Sequence, residues 1–427
     1  MHLSPAILLD SSRPAPGLWC SPQSGARMVL RCEGSPPLTT LYGAGEPTRT
    51  WDDPLEALRW MSDHIRSAPP GGRWIGFLSY DLGRFFEELP ATAADELQLP
   101  LFVFTFHDAV ARRSDTGPAQ PGRPWLGDQN PEGQAASGGP GYALPGRTAS
   151  PMWHIPAASN FTRAQYESAV AVAAEYIAAG DIFQVNLSQR FRLGLRHRPL
   201  EVYRRLLERT PADYGAMLDY GDLALVCNSP ELFLHVAPDR RVVTRPVKGT
   251  RPRQPGMALE LRDSVKDQAE LNMIVDLERN DLGRVCEIGS VRVTQRRVIE
   301  SHPTVYHGVA TIEGILRTDV GFVDLLRATF PGGSITGTPK IRAMQIIEEL
   351  ERTRRGPYCG AIGLLAADGT IELNVAIRTI VIKDGLAYVA VGGGVVADSV
   401  PAEEYEETLV KARAMLDALT PPTARAT

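Results

Sequence analysis

Three β-prone runs, Leu223–Cys227, Leu232–Val236 and Val242–Thr244, follow one another with only a few residues between them. Connections this short join antiparallel neighbours, because a parallel pair needs a crossover of about a dozen residues or more. Further runs of the same kind are IFQVNLSQRFRL from Ile182, Gly360–Ala366, Ile371–Ile382 and Ala387–Val391. Apolar residues at helical spacing mark Ser264–Leu277, Val323–Ala328, Lys340–Glu351 and Ala402–Ala418. A helix with Asn160 as N-cap carries Tyr166, Val170, Ala173 and Ile177 on one stripe and ends at Gly180. Strands adjoining strands, with helices grouped apart from them, predict an α+β fold with large antiparallel sheets.

One composition shift interrupts this pattern. Ser114 to Ser150 is crowded with Gly, Pro, Ala, Ser and Gln, and cannot bury enough apolar area to offset its ordering entropy. It reads as a connection of about 114–150 closing an N-terminal region (1–155) and leading to a larger body (156–427). The N-terminal region mixes a helix, Pro54–Arg66, with β-like runs at Trp74–Tyr80 and Leu101–Phe106. With 45 basic and 50 acidic residues and no dense Lys/Arg block, a nucleic-acid partner is not expected. No apolar run approaches membrane-spanning length, and the first residues lack a signal peptide's basic start. The five cysteines are scattered and never form CxxC. We therefore expect a cytoplasmic protein with reduced thiols and no zinc.

Several residues could carry chemistry. Asp267 and Glu270 stand i, i+3 on one helix, and Glu404 and Glu407 repeat the spacing on another. Two such pairs could hold a hard, oxygen-liganded cation such as Mg²⁺, although each alone is also what a solvated helix face carries. FPGGSITGTPKI places Ser334 and Thr336 in a glycine-rich entrance to a helix starting near Pro339, a place suited to an anion or to ordinary turn chemistry. Gly392, Gly393 and Gly394 end a strand and permit close approach of a ligand to backbone. Lys248, between Pro246 and Gly249, is a candidate for an amine of lowered pKa. Glu231 opens a strand, Arg378 lies within the apolar run NVAIRTIVI, and His307 sits in PTVYHGVATI. Each of these is either a satisfied structural group or part of a site.

Together the stretches GDIFQVNLSQRF, NSPELF, RPVKGTRPR, KDQAELNMIVDLERNDLGRV, PTVYHGVATI, PGGSITGTPKIRAM, RGPYCGAIG, NVAIRT and GGGVVADSVPAEEYEETLVKA resemble one family. It is the chorismate-utilising enzymes typified by the first components of anthranilate synthase and aminodeoxychorismate synthase. The resemblance spans nearly the whole chain and is strongest from about Asp181 to Ala418. It implies a sandwich of large antiparallel sheets with helices outside and the active site in a central cleft. It also implies Glu270 and Glu407 as Mg²⁺ ligands, with Asp267 and Glu404 reaching the metal's shell. Asp267 stands where the family usually has a glutamate. Gly249, Thr250, Tyr358, Arg378 and Gly392 to Gly394 correspond to the pocket for the substrate's carboxylates and enolpyruvyl group. Glu231 corresponds to the general acid/base at the departing 4-hydroxyl, and His307 to a histidine near the ring.

Within that family, isochorismate and salicylate synthases carry a water-activating lysine where this chain has Gln184. They and the anthranilate synthases carry alanine where it has Lys248. A lysine in PVKGT resembles aminodeoxychorismate synthase, in which the amine adds at C2 of chorismate and ammonia then enters at C4. Anthranilate synthesis and a catalytically silent subunit are the alternatives. No cysteine lies in the setting of a glutaminase nucleophile, so the resemblance implies ammonia from a separate glutamine amidotransferase subunit. Leu8 to Ser11 (LLDS) resembles a stretch of the tryptophan pocket in relatives, which leaves tryptophan as a further ligand to consider.

Overall fold

The computed structural model of the chain describes residues 6–10, 20–22, 26–43, 46–108, 110–112, 157–195 and 197–420. The connection expected at 114–150 and Ser11 of the LLDS stretch lie outside the described residues.

Two large sheets dominate, with antiparallel pairing throughout. The twelve-stranded sheet has Val247–Pro252 at one edge, beside Val305–Ile315, and then runs through Arg241–Arg245, Leu232–Val236, Ile371–Val375 and Ala361–Ala366. There it continues into N-terminal strands, because Arg73–Leu78 pairs with Ala361–Ala366. The eight-stranded sheet contains Ala6–Asp10, Tyr214–Asp219, Leu223–Ser229, Thr379–Lys383, Leu386–Val395 and Gln184–Gly194. Alternate residues of the two sheets face one another: Ile75, Phe77, Val103 and Ile362 of the larger meet Leu218, Leu225, Cys227 and Val381 of the smaller. The period-2 alternation expected of strands thus closes one apolar layer between sheets.

Helices cover the outer faces. Pro54–Arg66 lays Leu55, Leu58, Met61 and Ile65 on the larger sheet, with Asp53 accepting from the Leu55 amide as N-cap. Pro199–Arg209, which the sequence reading did not anticipate, and Pro401–Leu419 cover the smaller sheet. Arg163–Ala178 and Lys340–Leu350 enclose a fourth cluster. The α+β sandwich with helices outside is therefore as expected. Among the described residues no helix is long and apolar enough to cross a membrane.

Three local expectations are corrected. The N-cap of Arg163–Ala178 is Thr162, which forms a capping box with Gln165, while the Asn160 side chain instead accepts from the Arg190 amide at 2.7 Å. The glycines 392–394 lie inside the strand Leu386–Val395 rather than ending it. The run Ile371–Ile382 is not one strand: Ile371–Val375 belongs to the larger sheet and Thr379–Lys383 to the smaller. The break occurs at Arg378, whose φ of 52° lies in the left-handed region and cannot continue a pleated strand.

Candidate active site

The edge of the larger sheet supplies the first residues. Pairing between Val247–Pro252 and Val305–Ile315 slips between Val247 and Thr250, so Lys248 and Gly249 form a bulge, with Gly249 at φ 81°. An edge bulge with a left-handed glycine re-aims the neighbouring side chain out of the ladder. Opposite it, a Cβ at Gly308 would stand 2.6 Å from the Lys248 carbonyl, so glycine there admits the bulge. His307, on the same partner strand, is 6% exposed and its Nδ1 lies 3.0 Å from the Thr250 hydroxyl. Burial, with His302 and Arg378 nearby, lowers the His307 imidazole to about 3, so it is neutral at pH 7.

Two helices bring the carboxylates. Ser264 caps Val265–Gly283 by accepting from the Asp267 amide, which fixes the turn carrying Asp267 and Glu270. Asp267 pairs with Arg251 at 3.0 Å. Glu270 is half-buried, and burial raises its pKa against the pull of Lys248 and Lys266. From the other side, Pro401–Leu419 packs on Leu386–Val395 and presents Glu404 and Glu407 over the glycines. A Cβ at Gly393 would stand 3.0 Å from Glu404 Oε2 and 3.6 Å from Glu407 Oε1. Burial pushes Glu407 upward, but Lys411 at 2.7 Å, Lys248 and Lys266 hold it below the ordinary value. Glu404 accepts from Ser399 at 2.7 Å through Oε1, while its Oε2 is buried without a hydrogen-bond partner. Burial keeps this carboxyl above its usual range. Such an orphaned oxygen, in an all-oxygen donor set beside a glycine cradle, fits a hard cation that takes one or two protein carboxylates and completes its shell elsewhere.

Glu231 forms the floor. It is 4% exposed, follows Ser229-Pro230, and donates its own N–H to Ser229 Oγ at 3.2 Å. Burial raises its carboxyl to about 7, against the influence of Ser334, Lys248 and the Val247 amide. Lys248 feels Glu270, Glu231 and Glu407 together, yet burial, reinforced by Lys411, lowers its pKa. Arg378 stands at the sheet crossover, donates to the Lys411 carbonyl at 3.3 Å, and interacts with Tyr358 and Glu407. Tyr358 is buried.

The fold therefore brings Lys248, Glu231, Glu270, Glu407, Arg378, Tyr358 and His307 within mutual electrostatic reach. Thr336 is not offered to a ligand: its hydroxyl donates to the Gly332 carbonyl at 2.9 Å inside the turn. The helix entrance at Pro339 is likewise folded inward, its turn residues Gly333–Ile335 being buried.

Five participants were not singled out from sequence: Lys411, Asp213, Glu300, His302 and Arg245. Lys411 ties Glu407 to the Gly392 carbonyl, which it reaches at 2.8 Å; its i, i+4 spacing from Glu407 was the available signal. Gln184 is fully buried against Gly394, with neither amide atom hydrogen-bonded. Asp213, Glu300 and His302 place three ligand-type atoms within 4.8 Å of one another, and the His302 ring lies edge-on to His307 at 4.8 Å. Arg245 ion-pairs with Glu300 in that group.

A model of the family described as chorismate binding enzyme matches residues 32–417. The chain belongs to the chorismate binding enzyme family. This chorismate binding enzyme is similar to anthranilate synthase component 1 of Thermus thermophilus, 40% identical over 92% of this chain and 87% of the relative. It is similar also to aminodeoxychorismate synthase component 1 of Bacillus subtilis, 38% identical over 89% of this chain and 83% of the relative. Its fold matches the crystal structure of anthranilate synthase component I from Streptococcus pneumoniae with a TM-score of 0.74 and 29% identity, covering 97% of this chain and 92% of that one. The relatives of this chorismate binding enzyme thus carry two reactions.

Proposed function

We propose that this chain is an aminodeoxychorismate synthase component, which aminates chorismate at C4. The observation that carries the reading is Lys248, an amine on a bulged strand, of lowered pKa, among Glu231, Glu270 and Glu407. In the proposed reaction the neutral Lys248 Nζ forms a bond to C2 as the ring double bond shifts and the C4–O bond breaks. Glu231 gives its proton to the departing hydroxyl, which leaves as water. Ammonia then attacks C4, the C2–N bond to Lys248 breaks, and the proton released by the new amine returns to Glu231. The net change is chorismate plus ammonia to 4-amino-4-deoxychorismate plus water.

The carboxylates of the substrate fall to Arg378, Tyr358, Thr250 and the backbone of Gly249 and Gly392–Gly394, with Ser334 beside Glu231. Neutral His307, oriented by Thr250, faces the ring without adding charge. Glu270 and Glu407, with Glu404 and Asp267 around them, would hold Mg²⁺, which when bound neutralises a substrate carboxylate and polarises the ring. All of these residues lie in the proposed catalytic region 156–427, to which 1–155 contributes as an N-terminal region.

Ammonia is proposed to come from a glutamine amidotransferase subunit. The four cysteines with described side chains are buried, and burial raises their thiols to about 11 or 12, far from a reactive thiolate. We place the protein in the cytoplasm on its family resemblance, in p-aminobenzoate formation, and build nothing on tryptophan.

Incubating the purified chain with chorismate, Mg²⁺ and ammonium, and identifying the product by mass and fluorescence, tests the reading. We expect 4-amino-4-deoxychorismate. Fluorescent anthranilate as the product would assign the chain to its other relatives, and absence of turnover would make it a silent subunit.

A further inference from the structure

Beside His307 lies a second buried group of charges that the proposed reaction does not use. The strands Arg292–Ser301 and Val305–Ile315 form a hairpin in which Glu300 stands opposite His307. His302 sits in its turn, where the backbone N–H donates to the Val305 carbonyl at 2.8 Å. Asp213, just before the strand Tyr214–Asp219, reaches this turn from the smaller sheet. His302 is 4% exposed, with Nδ1 3.8 Å from Asp213 Oδ1 and Nε2 3.9 Å from Glu300 Oε2. Its ring stands edge-on to that of His307, with centroids 4.8 Å apart. A neutral imidazole has one N–H and serves only one of two carboxylates, whereas an imidazolium has two and serves both. The neighbouring charges ask for the second form. Among the described residues, Asp213 and Glu300 are set against one guanidinium, that of Arg245, which pairs with Glu300. Tyr214 beside Arg245, its hydroxyl pushed up to about 12 by burial, stays uncharged. One buried carboxylate is thus left for His302 to balance. A divalent ion in its place would stand against Arg245.

We propose that His302 is a positioning residue for His307: held as an imidazolium between Asp213 and Glu300, it fixes the neighbouring ring edge-on and keeps it a neutral N–H donor toward the substrate. This rests on His307 facing the substrate, as proposed above, and holds for either product. His307 also meets the Thr250 hydroxyl at 3.0 Å and the Gly249 backbone, and Arg378 acts on it from the sheet crossover. A fixed cation beside a buried imidazole disfavours a second proton on it and sharpens the N–H it retains as a donor. His302 and Arg378 both act in that direction on the His307 ring, adding to burial. A His307 that stays neutral does not draw a substrate carboxylate away from Arg378.

Ring-nitrogen NMR of the histidine-labelled chain tests this, with His302→Gln and His307→Asn assigning the two rings. At pH 7 His302 carries a proton on both nitrogens and His307 on one. As His302 loses its second proton on the alkaline side, the His307 resonances move with the same midpoint, and in His302→Gln that movement is gone. Asp213→Asn brings the shared midpoint down by about one unit. In ammonium-dependent turnover His302→Gln lowers kcat by about tenfold and leaves KM for chorismate within about twofold. A singly protonated His302 at pH 7, or a His307 that does not follow its titration, overturns the proposal, as does an unchanged kcat in His302→Gln. If His302→Gln does not fold, the shared midpoint in the unaltered chain and its displacement in Asp213→Asn decide. Full activity of His307→Asn overturns instead the placing of His307 at the substrate, and the NMR arms then decide only whether the two rings are coupled.

Discussion

Acids reach this site from two helices and from the floor, and the cations beside them divide them. On the two helices, Asp267 lies against Arg251, and Glu407 lies against Lys411 and is held below its ordinary pKa. On the floor, Glu231 and Glu278 are buried without an ion pair, and burial pushes both up to about 7 and 8. A glutamate therefore keeps its charge most readily at Glu407 and its proton at Glu231 and Glu278, while Glu270 and Glu404 on the helices are raised by burial as the floor acids are. What separates the two is the cations the packing brings alongside, since burial acts upward on both. Lys248 stands between the groups and feels both.

Removing that middle residue should have the largest effect. Lys248→Ala leaves both acid groups in place, and formation of the C4-amino product should fall by about three powers of ten or more, as when a covalent nucleophile is lost. Because the pocket then resembles that of alanine-bearing relatives, traces of anthranilate would strengthen the reading. A C4-amino product formed at a modestly reduced rate would reduce Lys248 to a charge partner of Glu231.

The charged group is broken next. Glu270→Gln or Glu407→Gln should lower turnover by about a hundredfold or more with little change in thermal unfolding, and excess chelator should do the same to the unaltered chain. Full activity in chelator would remove the metal from the account. Glutamine alone should give no amination by the purified chain, whereas ammonium at alkaline pH should; a measurable glutaminase rate would expose a nucleophile outside the residues described.

The smallest effect concerns stability. Glu278 has a folded pKa raised above its unfolded value, so its contribution is fully present below about 4.5 and is lost as pH rises through about 8. Glu278→Gln escapes that loss. Its Tm relative to the unaltered chain should therefore climb between pH 5 and pH 9, and calorimetry across that range showing a constant difference would mean that Glu278 is not held protonated.

Much of this was legible before any fold was known, and the reasons are local. Pro54–Arg66 and Leu232–Val236 have the bounds expected, because helical spacing of apolar residues and β-prone runs between turns are properties of adjacent residues. The spacing of Asp267 with Glu270 and of Glu404 with Glu407 likewise placed each pair on one helical face. Lys248 was visible through its flanking Pro246 and Gly249, although not that a bulge aims it.

What lay beyond the sequence was everything set by a distant partner. The run Ile371–Ile382 carries Glu372, Asn374, Arg378 and Thr379 among its apolar residues, and nothing in it announces that its halves serve different sheets; the two packing partners decide that, and Arg378 takes the bend. Glu278, in DLERND, looks like any acid on a charged helix, and only the strand bearing Thr244 and the turn at Gly333 turn it into a buried proton site. Sequence alone determined the kinds of element and the chemical groups available, because these follow from neighbours along the chain. Tertiary structure decided which carboxylates keep their charge and which keep their proton, because that balance of desolvation against nearby cations is set by residues far apart in sequence.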